Sequence, residues 1–209
     1  LALKDIVPAH EYAGSFLGVA ALCLSTALVL TAYREPALRM AHAASGPTRS
    51  LAAIVRQGSF VTAVLAGVVS YFIMTATPIS MHVHDHHSDA ATAWVIQSHL
   101  IAMYAPSLFS GRLIARIGVP AGMTAGLVLM LACVLVALSG HDLMHYWWGL
   151  VTLGVGWNLL FVAGTALLTT TYQPAERFRA QAVNEFSVFG SQAAASLLAG
   201  PAIHALGWR

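Results

Sequence analysis

An all-α, polytopic transmembrane bundle of six spans is the fold this sequence predicts, on three observations. Hydrophobic residues fill 58% of the 209 positions and charged ones 9%, against roughly a quarter charged in an average soluble domain. Several apolar runs reach the roughly 20 residues that a helix needs to cross about 30 Å of hydrocarbon. The ten Lys and Arg are also unevenly placed. Under alternation of six spans, Arg34, Arg39, Arg49, Arg56, Arg112, Arg116, Arg177 and Arg179 fall on one side, and only Lys4 and Arg209 on the other. The positive-inside pattern makes the first side cytoplasmic, so loops 34–57, 111–118 and 172–180 face inward.

Taken in order, a polar segment, 1–11, precedes a first span over 12–33, in which Gly14 and Gly18 form a small-xxx-small pair suited to close helix approach. Residues 34–57 form the longest polar stretch, broken by Pro36, Gly46 and Pro47. It reads as a solvated cytoplasmic linker, with Ser50 to Gln57 the one part able to form a short interfacial helix. The second span runs from Phe60 to about Met81, with Pro78 near its far end. An outer histidine-rich loop, 82–89, leads into a third and more polar span, about Ala90 to Phe109. Ser110 to Pro120 reads as a basic turn with glycines for the reversal.

The fourth span, Val119 to Leu138, carries a second close-packing pair, Gly122 and Gly126. Tyr146, Trp147 and Trp148 open the fifth span as an interfacial aromatic anchor, and the span continues to about Leu168. The sixth runs from about Gln181 to Leu206, with Gly190 and Ala194 offering a packing surface. Cys23 and Cys133 fall inside spans and imply no disulfide framework. The chain begins at Leu1 without a methionine and stops at Gly207-Trp208-Arg209, which predicts a piece of a longer protein.

The run Gly111-Arg-Leu-Ile-Ala-Arg-Ile-Gly118 resembles the loop signature of the major facilitator superfamily, Gly-x-Leu-x-Asp-Arg-x-Gly, with Ala115 at the acidic position. Residues 94–107 and 172–186 look like a bacterial branch of that superfamily. The resemblance implies a multi-pass carrier of the bacterial inner membrane, working by alternating access on an ion gradient, with a proton as the expected coupling ion. It also implies that 1–33 holds the last helix of the N-terminal half and 34–57 links the halves. Residues 58–209 would then be a C-terminal half without its final helix. The partners implied are a small-molecule substrate, the lipid bilayer, and the missing helices of the same polypeptide.

Polar side chains inside spans are the natural site candidates, because lipid tolerates them only where they face the interior. Gln97, His99, Tyr104, Asn158 and Gln192 are the candidates for the substrate cavity, with satisfaction by a neighbouring helix the competing reading of His99 and Asn158. Glu185, the acidic residue of the sixth span, and the titratable His99 are the candidates for proton coupling. Gln181, Glu185, Gln192 and Ser196 share one helical stripe. With Ala115 removing the signature's acid, Gly111, Arg112, Arg116 and Gly118 are assigned to a cytoplasmic gate rather than to charge relay. A structural ion pair of Glu185 with Arg177 or Arg179 is the competing reading of that acid.

His82, His84, His86 and His87, with Asp85 and Asp89, have donor types suited to zinc, copper or nickel, and His141 and His145 lie in the next outer turn. Metal binding or efflux is therefore the alternative function. A membrane di-iron oxygenase is disfavoured, because the charge bias puts these histidines outside on short loops. No hydrolase elbow, Walker loop or His-Glu-x-x-His pattern occurs. The sequence thus predicts a transporter rather than an enzyme, and nothing in it calls for a cofactor or a nucleic-acid partner.

Overall fold

The computed structural model describes residues 13–32, 48–76 and 87–206, and among them every regular element is helical. The chain divides into two units, Leu1–Ala44 and Ser45–Arg209. The described part of the first is α1 (Ala13–Ala32), a single apolar helix within the expected first span. The second unit contains α2 (Leu51–Val55), α3 (Gly58–Ala76), α4 (Asp89–Tyr104), α5 (Ser107–Ile117), α6 (Val119–Ser139) and α7 (Leu143–Thr169). A 3-10 turn (Pro174–Glu176) then leads into α8 (Arg177–Leu206). The far end expected for the second span lies outside the described residues.

Among the described residues, three helices, α3, α6 and α7, are long and apolar enough to cross a membrane. The third expected span is instead two helices, α4 and α5, hinged at Ala105 and Pro106. Proline has no N–H to donate and its ring obstructs the preceding turn, so the helix breaks there and restarts.

The expected basic turn is corrected by this restart. Gly111 to Ile117, including Arg112 and Arg116, are helical, because Ser110 and Ile114 are buried one turn apart and hold the segment against the bundle. The reversal is left to Gly118 alone, whose φ of 88° suits a residue without Cβ. The linker also differs from a plain solvated connection. Ser50 caps α2, its side chain accepting from the Ala53 N–H, and Ile54 is fully buried.

Helix α7 is the hub, packed against α3, α4, α5 and α6, while α8 lies along α3. Glycines permit the close approaches that replace hydrophobic driving force within lipid. A Cβ on Gly126 would meet the Leu160 backbone N at 2.7 Å and Gly156 O at 2.9 Å, so α6 and α7 touch backbone to backbone. A Cβ on Gly67 would meet Val188 at 2.8 Å, which sets the α3–α8 spacing. A Cβ on Gly190, by contrast, would meet nothing within 4 Å, so the packing surface expected there is not used by another helix among the described residues.

Two apolar cores result. At the basic end, Ile54, Phe60, Ala63, Leu168 and Ala180 pack α2, α3, α7 and α8 together. Towards the other end, Val95, Met130, Cys133, Tyr146, Leu150 and Leu153 join α4, α6 and α7. There Trp147 stacks on Trp94 at 5.6 Å and meets Trp148 edge-on at 4.7 Å.

Candidate functional site

Four helices of the second unit bring aromatic side chains to one depth. Tyr71 of α3 stands edge-on to Trp157 and Phe161 of α7, at 5.4 and 5.6 Å between ring centroids, and to Phe189 of α8 at 5.8 Å. Tyr104 of α4 stands edge-on to Trp157 at 6.1 Å, and Trp157 and Phe161, one turn apart, are stacked at 4.9 Å. Edge-to-face pairs place ring hydrogens on a neighbour's π face, adding about 0.5–1.5 kcal/mol each beyond burial. Counted at 1.5 Å per residue, Tyr71, Trp157 and Phe189 each lie about 18–20 Å along their helices from the basic end, and Tyr104, the last residue of α4, is separated from that end by the length of α5.

The cluster is open on one side. Trp157 is buried and forms the floor, Tyr71 and Phe161 are half-buried, and Tyr104 and Phe189 remain 60% and 52% exposed. The indole N–H of Trp157 has no hydrogen-bond partner, so a buried donor is left available. Polar side chains continue the two exposed helix faces. Gln97 shares the face of Tyr104 two turns away, while Glu185 and Gln192 flank Phe189 on the stripe of α8. Glu185 is exposed, accepts from Asn184 Nδ2 at 3.2 Å, and forms no ion pair among the described residues.

His99 and Asn158 are placed elsewhere, between helices. His99 is buried on α4 with its Nδ1 2.7 Å from Leu150 O. Asn158 is fully buried, its Nδ2 donating to Met103 O at 2.8 Å and to Ser107 Oγ at 2.6 Å across the Pro106 break. Both join α4 or α5 to α7. Tyr71, Trp157, Phe161 and Phe189 were not singled out by the sequence reading. The available signal was the i, i+4 spacing of Trp157 with Phe161 and of Glu185 with Phe189.

At the basic end, Arg112 and Arg116 are exposed on one face of α5, one turn apart, with Gly118 following at the reversal. The carboxylate that is tightly paired there is Glu176, bound to Arg49 at 2.6 Å. The Arg49 guanidinium, assisted by the Gln173 N–H, pulls the Glu176 carboxyl down to about 2, and Glu176 in turn raises the Arg49 pKa.

His82, His84 and His86 lie outside the described residues. His87 is half-buried and meets Tyr146 edge-on at 5.7 Å. His145 lies 3.8 Å from Asp142, and no group of three potential metal-ligating side chains converges among the described residues.

Comparison with known proteins adds the following. A family model described as Major Facilitator Superfamily matches residues 59–209. A riboflavin transporter of Brucella anthropi, RfnT, is 44% identical over 210 residues, covering 98% of this chain and 52% of its own length. Two uncharacterized transporters of the same superfamily type from Bacillus subtilis also match. YdeG is 37% identical over 66% of this chain and 32% of its own length, and YddS is 31% identical over 88% and 42%. The chain thus spans about half or less of the length of the curated relatives it matches. No solved structure gives a significant match.

Proposed function

The chain belongs to the major facilitator superfamily, and from that premise we propose that it forms part of an ion-gradient-driven carrier for a planar heteroaromatic solute of the riboflavin class. The observation that carries this reading is the open aromatic cluster of Tyr71, Tyr104, Trp157, Phe161 and Phe189, held at one depth by four helices. Carriers built from two helical halves hold substrate near the bilayer midplane, between the halves. A cluster open on one side supplies one wall of such a pocket, and helices outside this chain supply the other.

A flat ring system lies on exposed aromatic faces with a large apolar contact and little loss of side-chain entropy. The unpartnered Trp157 N–H is a donor for its polar edge. Gln97, Gln192 and Glu185 suit a hydroxylated side chain, since amides and carboxylates supply the acceptors such a chain needs. The Brucella relative named for riboflavin supports this solute class.

Glu185 is the proposed proton site. As an exposed acid on the cavity-facing stripe, it loses its charge on protonation, and the energetic balance between the two access states changes with it. Arg112, Arg116 and Gly118 then belong to the cytoplasmic gate, with the basic end of the bundle facing the cell interior of a bacterial inner membrane.

The test is uptake of labelled riboflavin by the intact protein in vesicles, with and without an imposed proton gradient. Saturable uptake that is accelerated by the gradient and abolished by a protonophore is the expected result. Absence of riboflavin binding and of uptake, with transport of an unrelated non-aromatic solute, would overturn the proposed solute class.

A further inference from the structure

The Pro106 break that separates α4 from α5 leaves a notch in the surface of the second unit. A groove of about 390 Å³ runs through it, lined by Ala102, Ala105, Pro106, Phe109, Val151 and Val155 and reaching Trp147. It shares no lining residue with the aromatic cluster. At about 100° per residue, Val151 and Val155 stand roughly 120–160° around α7 from Trp157, and Ala102 and Ala105 roughly 100–160° around α4 from Tyr104. Phe109 also borders a second recess, of about 420 Å³, whose other lining residues are Arg112, Leu113 and Arg116. The spacing i, i+3, i+4, i+7 puts these four side chains on one face of α5. Neither arginine pairs with a carboxylate among the described residues, and Ala115 stands where the loop signature would have an acid. An apolar groove thus opens, at its basic end, onto two unpaired cations whose Cβ atoms are about 5–6 Å apart.

We propose that groove and arginines together form a binding site for an anionic phospholipid of the cytoplasmic leaflet. Its phosphate lies between Arg112 and Arg116, and one acyl chain runs past Phe109 and the Pro106 notch toward Trp147. Nothing in this depends on the solute, and the choice of leaflet rests on the orientation given above. Guanidinium groups hold phosphate oxygens through paired N–H donors, and two of them one turn apart can share one phosphate. Arg112 lies six residues before Gly118, about 9 Å along the helix, so its long side chain carries the charge toward the headgroups while its stem stays in the apolar layer. From Trp147 to Val155 the groove follows α7 for about 12 Å, and Phe109 carries it nearer the basic end, which makes it about one leaflet deep. Charge and shape select the occupant. A zwitterionic lipid would bring its own cation to the two arginines, and a water-soluble phosphate would leave the groove empty, whereas an anionic lipid matches both parts.

The test is lipid binding by the intact protein, stripped of lipid in a neutral detergent and titrated with phosphatidylglycerol or phosphatidylcholine, with occupancy read by native mass spectrometry. Phosphatidylglycerol is expected to bind at least tenfold more tightly, and glycerol 3-phosphate is expected not to displace it. Arg112→Gln combined with Arg116→Gln should weaken phosphatidylglycerol roughly 30-fold, at about fivefold per arginine, and leave phosphatidylcholine nearly unchanged. Ala105→Trp, at an exposed position of the groove, should weaken phosphatidylglycerol at least tenfold with both arginines in place. Equal binding of the two lipids by the unaltered protein would overturn the proposal without recourse to any variant. It would mean that the groove holds any bilayer lipid, or that another helix of the intact protein covers it. Phosphatidylglycerol binding that survives either set of substitutions, or that glycerol 3-phosphate abolishes, would overturn it as well.

Discussion

Asn158 separates two accounts of what a polar residue inside a span does. Replacing it with leucine keeps the branched outline of the side chain, adds bulk at a fully buried position, and removes the two hydrogen bonds from Nδ2, to Met103 O and Ser107 Oγ. Interhelical hydrogen bonds in membranes average about 0.6 kcal/mol and reach about 1.7, and a buried carbonyl left without a partner costs about 1–3 kcal/mol. Met103 O lies in the turn that Pro106 interrupts, so the ladder there does not make up the loss. Asn158→Leu is therefore expected to destabilise the protein by about 2 kcal/mol, or roughly 30-fold in the folding equilibrium at 1.4 kcal/mol per tenfold. Reversible unfolding of the intact protein in bicelles measures this. A double-mutant cycle with Ser107→Ala should show a coupling of about 1 kcal/mol. Unchanged stability together with a many-fold rise in the KM for riboflavin would refute the reasoning and return Asn158 to the cavity wall.

Four further outcomes are expected. Gly111→Ala should stabilise the protein by about 0.5–1 kcal/mol, because Gly111 is helical with open space around it, whereas Gly118→Ala should destabilise it by about 1 kcal/mol through its positive φ; thermal unfolding distinguishes the two. Tyr71→Ala and Phe189→Ala should each weaken riboflavin binding about tenfold, at the upper end of what an aromatic contact contributes, as read by fluorescence titration. On the proposed reading, Glu185→Gln, which keeps an acceptor oxygen toward the solute but cannot carry the proton, should remove the acceleration of uptake by a proton gradient, as vesicle assays would show. For Glu176 the folded pKa is depressed, so its contribution to stability is present above the ordinary value of 4.5 and fades as pH falls toward about 2. Glu176→Gln should accordingly flatten the acid limb of the stability profile between those values and leave its shape above pH 5 unaltered.

The spans were legible because apolar length is a one-dimensional property. Val119–Ser139 and Leu143–Thr169 fall where the hydrophobic runs put them, and the Gly122 and Gly126 pair does meet a neighbouring helix. The segment around Gly111 was misread because glycine and arginine are common in turns, while the burial of Ser110 and Ile114 that keeps it helical depends on α6 and α7 being present. His99 and Asn158 were recognisable as polar residues that a neighbouring helix can satisfy, but the sequence holds no sign that the partners are the backbone carbonyls of Leu150 and Met103. The aromatic cluster escaped notice because a tyrosine or phenylalanine in an apolar run looks the same whether it meets lipid or other rings. Glu176 was beyond reach for another reason, since a pairing across 127 positions leaves no local pattern.

The central place of α7 has a consequence for how the protein is made. Helix α4 leaves the ribosome with His99 and the Pro106 break, and the groups that satisfy them, Leu150 O and Asn158 Nδ2, lie 51 and 55 positions later. Until α7 is inserted, α4 and α5 carry an unpaired imidazole and an interrupted backbone ladder in the bilayer. Their early lifetime is thus expected to depend on shelter by the insertion machinery, and arrest of synthesis shortly before residue 150 should leave a nascent chain far more open to quality-control proteolysis than arrest after residue 170.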